Sequence, residues 1–215
     1  MWETLAPPWQ ACLEETWDAC CAGNVPIGAV ITDANGEIVA RGRNRREEPH
    51  RDDGYVHANP LAHAELNALL ALPREIDSHL CTLYTVTEPC PLCLGAFYMS
   101  GMRKLHYASR DPYAGSVNLL GKTPYLSRKP IQVHGPQRFD LEIIIMGLYV
   151  DYALRGEVNR AIVLDEWKAV VPESVPFGER IFHSGVLTQM RADKAAAPAV
   201  FTELHALLEN SGIIK

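Results

Sequence analysis

Behind Pro7-Pro8, residues Cys12, Leu13, Thr16, Trp17 and Cys20 recur every three or four positions, which predicts a helix over residues 9–22. The pattern then changes. Val25-Pro26-Ile27-Gly28-Ala29-Val30-Ile31-Thr32 reads as a strand with a buried face, Ala34-Asn35-Gly36 as a tight turn, and residues 37–43 as the hairpin partner. A polar, charged loop runs on to about Pro60. Residues 61–72 predict a helix ended by Pro73, with His63 and Glu65 in its first turn. Residues 80–86 have strong strand propensity, residues 91–100 predict a short helix stopped by Gly101, and residues 104–108 a further strand. Beyond Asp111 the pattern weakens. Residues 131–133 read as a strand, and residues 141–154, 157–170 and 200–209 as helices. Residues 171–182, with Pro172 and Pro176, read as a connecting loop.

Two strand–helix units preceded by a hairpin predict an α/β layered domain, with the helix starts lying beside one sheet. A chain of 215 residues suits one domain with a substantial core, or a smaller one with an appended piece. The division expected is a domain over residues 1–155 and an extension over 156–215, packed on the same domain or on a neighbouring subunit. Met1-Trp2-Glu3-Thr4 carries no basic region before an apolar run, and the apolar stretch at residues 143–148 is too short to span a bilayer. Six cysteines fall short of a secreted disulfide framework. A cytoplasmic protein with no membrane partner is expected. The net charge of −6 argues mildly against a large nucleic-acid partner. Arg41, Arg43, Arg45, Arg46 and Arg51 form the richest basic cluster, but Glu47, Glu48, Asp52 and Asp53 are interleaved with it, as in a solvated loop.

The chemistry is concentrated in two short segments, His63-Ala64-Glu65 and Pro89-Cys90-Pro91-Leu92-Cys93. One histidine and two cysteines hold a zinc ion on three sides and leave its fourth position for water. Cys90 and Cys93 are three apart, so at a helix start they face one point, where the helix dipole favours the thiolate that zinc needs. Glu65 is then placed to move protons rather than bind metal. A four-ligand structural site would need His57, His79 or Cys81, none at a familiar zinc spacing from the others. Cys12, Cys20 and Cys21 read as helix-packing thiols. Trp2, Trp9, Trp17 and Trp167 read as packing residues, with stacking of one on a base as the alternative, and Tyr113 is a candidate for the pocket.

His-x-Glu followed by Pro-Cys-x-x-Cys is the signature of zinc-dependent base deaminases. On these residues the chain resembles the cytidine/deoxycytidylate deaminase superfamily, and within it the bacterial tRNA-adenosine and guanine deaminase branch. The resemblance runs to about Leu154. It implies a three-layer α/β/α sandwich, here with a C-terminal helical extension, and a homodimer at least. It also implies hydrolytic deamination: the exocyclic amine of a small nucleobase-like heterocycle (guanine, cytosine, adenine or an analogue) becomes a carbonyl and ammonia leaves. Asn44 matches the base-binding asparagine of that branch, and its amide offers both donor and acceptor. Resemblance further suggests a substrate contact at the Ala64 backbone N–H, a carbonyl near Glu88 or Pro89 for the leaving amine, and a substrate-loop role for Asp111. Two other readings stay open: a tRNA wobble-adenosine deaminase, and an inactive, zinc-stabilised binding protein of the same fold.

Overall fold

The computed structural model describes residues 1–156 and 161–214. Five strands form one mixed sheet: β1 (Gly28–Thr32), β2 (Ile38–Arg43), β3 (Thr82–Thr87), β4 (Lys104–Ser109) and β5 (Gln132–His134), in the order β2-β1-β3-β4-β5. β1 pairs antiparallel with both β2 and β3, whereas β3–β4 and β4–β5 are parallel. A parallel neighbour requires a crossover, and α3 (Pro91–Ser100) supplies it between β3 and β4.

All five residues of β1 are buried because helices cover both faces of the sheet. Val30 packs with α1 (Pro7–Cys21) and α4 (Phe139–Arg155), while Ala29 and Ile31 pack with α2 (Ala64–Leu70) and α3. The fold is thus an α/β/α sandwich. A Cβ on Gly42 would lie 2.3 Å from the Ala68 backbone nitrogen, so the missing side chain lets α2 settle directly on β2.

Four helices follow: α5 (Ala161–Val170), α6 (Ser174–Ser184), α7 (Val186–Ala192) and α8 (Ala197–Asn210). Residues 157–160 of the helix expected over 157–170 lie outside the described residues. The loop expected at residues 171–182 is largely α6. Pro176 is its third residue, where the backbone N–H it lacks would have had no intrahelical partner. Helix α6 packs against α4 closely enough that a Cβ on Gly178 would lie 2.4 Å from the Val150 Cβ. Phe177, Ile181, Phe201 and Leu204 join the same buried cluster as α1 and α4. The Trp17 indole N–H donates to the Ala195 carbonyl at 2.7 Å, and Trp2 stacks on Phe201. No described helix is long and apolar enough to cross a membrane.

Candidate active site

Two helix starts meet at the edge of the sheet. His63 is the residue before α2 and Cys90 the residue before α3, both in extended conformation, so each side chain projects past its helix end. The helix expected from residue 61 begins at Ala64, which leaves His63 at the cap. Pro91 opens α3, and Cys93 sits one turn in, buried. His63 Nδ1 lies 3.6 Å from Cys90 Sγ and 3.4 Å from Cys93 Sγ. A tetrahedral zinc with ordinary bond lengths sets nitrogen and sulfur ligands about 3.6 Å apart. Three soft or borderline donors at that spacing fit zinc. Among the described residues these three alone form a histidine, cysteine or carboxylate cluster of metal-binding spacing. His57, His79 and Cys81 all lie outside that cluster, so none supplies a fourth ligand.

Proton sharing ties the group together. A hydrogen bond from Cys93, helped by His63, drives the Cys90 thiol down to about 4, while that bond and burial push Cys93 far up. Glu65 is 4% exposed, and burial raises its carboxyl above the usual range. Its Oε1 accepts from the Thr85 hydroxyl at 3.1 Å, and its Oε2 lies 3.3 Å from Cys93 Sγ. A carboxyl raised by burial holds a proton more readily than an exposed one, which suits a group that must take and return one.

A cavity of about 360 Å³ opens over these groups. His63, Glu65 and Cys90 border it, as do Asn44, Glu88 and Asp111, while Ala64, Pro89 and Cys93 do not. The Pro89 carbonyl accepts the Ser116 N–H at 3.0 Å, and the Asn44 Oδ1 accepts the Arg46 N–H at 3.2 Å. Glu88 accepts from the Val117 N–H at 3.2 Å and, at 3.5 Å, from that of Asp111. A Cβ on Gly115 would lie 2.5 Å from the Glu88 Cδ, so the loop after β4 closes on Glu88 only with glycine there. Arg110 pins the same loop to α4 through a two-pronged pair with Glu142 at 2.8 Å.

Sequence reasoning missed part of the lining. Tyr113 was a candidate and is present, but Tyr149 of α4 and Val163 and Trp167 of α5 also border the cavity. Only the helical spacing of Val163 and Trp167 pointed to a shared face.

The basic cluster differs from its expectation as a solvated loop. Glu48 is 4% exposed and pairs with Arg43 at 3.0 Å and Arg45 at 3.2 Å, while Arg41 pairs with Glu14 at 2.8 Å. Asn24 Nδ2 donates to Glu48 from beneath at 3.2 Å. Of the interleaved acids only Glu48 turns inward, because the guanidiniums of Arg43 and Arg45 need compensating charge once covered, while Glu47, Asp52 and Asp53 stay exposed.

Fold and site together define a zinc-binding α/β/α domain of deaminase architecture. The chain belongs to the cytidine and deoxycytidylate deaminase zinc-binding family, whose model matches residues 8–109. It is 32% identical over 138 residues to a probable cytosine deaminase of Schizosaccharomyces pombe, covering 57% of this chain and 77% of that one. It is 40% identical over 98 residues to the tRNA-specific adenosine deaminase of Bacillus subtilis, covering 46% and 57% of the two chains. The solved guanine deaminase of Nitrosomonas europaea superposes with a TM-score of 0.52 at 25% identity, covering 69% of this chain and 85% of that one. Other relatives are far longer: the chain spans 15% of a tRNA(Ile)-lysidine synthase of Deinococcus radiodurans, at 42% identity over 93 residues, 43% of this chain.

Proposed function

We propose that the protein is a zinc-dependent hydrolytic deaminase of a small amino-heterocycle of the guanine, cytosine or adenine kind, working as at least a homodimer. The observation that carries the choice of a small substrate is the pairing of the basic cluster. Arg41, Arg43 and Arg45 already have carboxylate partners, and Arg46 is the one member of the cluster that borders the cavity, so a single cation rather than a basic stripe faces the substrate. Zinc held by His63, Cys90 and Cys93 would make water a stronger acid and so a nucleophile available at neutral pH.

The remaining work falls to the chain's own groups. Glu65 takes a proton from the attacking water and delivers it to the ring nitrogen beside the amine-bearing carbon. It then passes the second proton to the amino group, which leaves as ammonia while the carbon keeps the oxygen. Water and the amine are consumed, the carbonyl compound and ammonia are formed, and Glu65 ends as it began. The Asn44 amide, with one acceptor already engaged by Arg46, keeps its N–H groups for the heterocycle edge. Glu88 and Asp111 border the same cavity; a carbonyl near Glu88 or Pro89 would receive the leaving amine, and Asp111 belongs to the substrate loop.

The test is ammonia release from guanine, cytosine, adenine, their nucleosides and wobble-adenosine tRNA, alongside light scattering for the dimer. Release from a free base, with KM changing less than threefold between 50 and 200 mM salt, is the expected result. Inosine in tRNA with steeply salt-dependent binding would transfer the assignment to the tRNA reading. Silence on every substrate would favour the binding-protein reading.

A further inference from the structure

Helix α5 lies beyond the segment matched by the family model, yet two of its residues border the cavity. Val163 and Trp167 are four apart and therefore on one face, whereas Ile162 on the same helix is 66% exposed. Trp167 is held from two sides. Its indole N–H donates to Asp111 Oδ1 at 3.2 Å, and its ring lies 4.6 Å from that of Tyr149, tilted by 43°. The same Asp111 oxygen accepts the backbone N–H groups of Tyr113 and Ala114, both at 3.1 Å. One oxygen thus fastens the indole to the loop that follows β4. A buried indole needs a partner for its N–H, and supplying it from a cavity-lining residue fixes the ring's plane at the cavity wall.

We propose that Trp167 is a substrate-contacting residue: its indole is the wall against which the heterocycle's ring packs. The inference rests on the deaminase reading of this cavity. A preset aromatic face adds affinity for a flat ring without ordering cost at the moment of binding, and base-on-aromatic contacts of this kind change binding by about 10- to 100-fold. Asp111 is on this account a positioning residue that acts through the indole.

Guanine, cytosine and adenine serve as probes, with Trp167→Ala, Trp167→Phe and Trp167→Leu as variants. The best-turned-over base should show KM raised about 10- to 100-fold in Trp167→Ala, with kcat within threefold and zinc content unchanged. Equilibrium dialysis of that base against Glu65→Gln, which cannot turn it over, should show the same loss of affinity when Trp167→Ala is added. If Trp167→Ala fails to fold, the Phe and Leu variants decide: Phe should keep most of the affinity and Leu should not. Equal affinity in Phe and Leu, or an unchanged KM in a folded Trp167→Ala, would overturn the proposal. Absence of ammonia from every base in the wild type would sink the deaminase reading instead, and dialysis of the three bases against the Phe and Leu variants would still judge the wall.

Discussion

The two ends of this chain are built under different constraints. Between β1 and β4, residues are fixed by chemistry: a histidine and two cysteines within 4.8 Å of one another, and a carboxylate buried beside them. From α6 onward, residues are fixed by shape, with Phe177, Ile181, Phe201 and Leu204 completing a cluster that α1 and α4 begin. Many apolar sets satisfy shape at a given volume, whereas few residue types hold zinc and move protons. Changes in the first region should therefore remove reaction without removing fold, and changes in the second the reverse.

The largest expected effect is in the first region. Glu65→Gln should lower ammonia release by about 10²- to 10⁴-fold while zinc content and circular dichroism stay as in the wild type. A variant with near wild-type turnover would break the division at once. Next comes Phe177→Ala, at a fully buried position of α6, which should cost about 3–5 kcal/mol in urea unfolding and leave the folded fraction's zinc stoichiometry intact. Loss of zinc from folded Phe177→Ala protein would show that the regions are not separable.

A smaller, pH-dependent effect is expected where α8 meets α4. Burial pushes the Asp140 carboxyl up, but the hydrogen bonds and charge of Arg138, aided by the Leu141 N–H and His205, outweigh it and hold the group below its ordinary 3.8. A carboxyl lowered on folding contributes stability that is complete above 3.8 and is lost as pH falls through the lower folded value. The urea-midpoint gap between wild type and Asp140→Asn should thus be widest near neutrality and close below that pH. A gap that widens on acidification would contradict the depressed carboxyl. The smallest effect belongs to Ile162→Ser, on the exposed side of α5, which should alter stability by less than about 0.5 kcal/mol and KM not at all. A raised KM there would implicate the whole helix rather than its inward face.

Legibility in the sequence follows the same division. His63, Glu65, Cys90 and Cys93 were readable because helix-start geometry and ligand chemistry constrain their types and spacing together. The α3 helix was readable from Pro91 to Ser100, since a proline opens it and a glycine closes it. Helix α6 was not, because Pro172 and Pro176 look like loop residues until tertiary packing shows the second to lie in a first turn. Helix α7, only seven residues from Val186 to Ala192, offered too short a pattern. The inward turn of Glu48 was illegible too, for its partner Asn24 is 24 residues away and nothing local announces the meeting. Trp167 shows the same limit at longer range: its hydrogen-bond partner lies 56 residues earlier.

That separation has a consequence in the order of synthesis. A chain leaves the ribosome from its N-terminus, and units near that end can fold first. His63, Glu65, Cys90 and Cys93 emerge more than seventy residues before Trp167, and Asp111 must wait through 56 residues for its indole. The growing chain thus acquires the groups for its reaction before the side wall of its cavity is in place. A stop codon after α4 would leave a chain that holds all four residues but lacks the helices that complete its core, whereas one before α2 would leave none of the four.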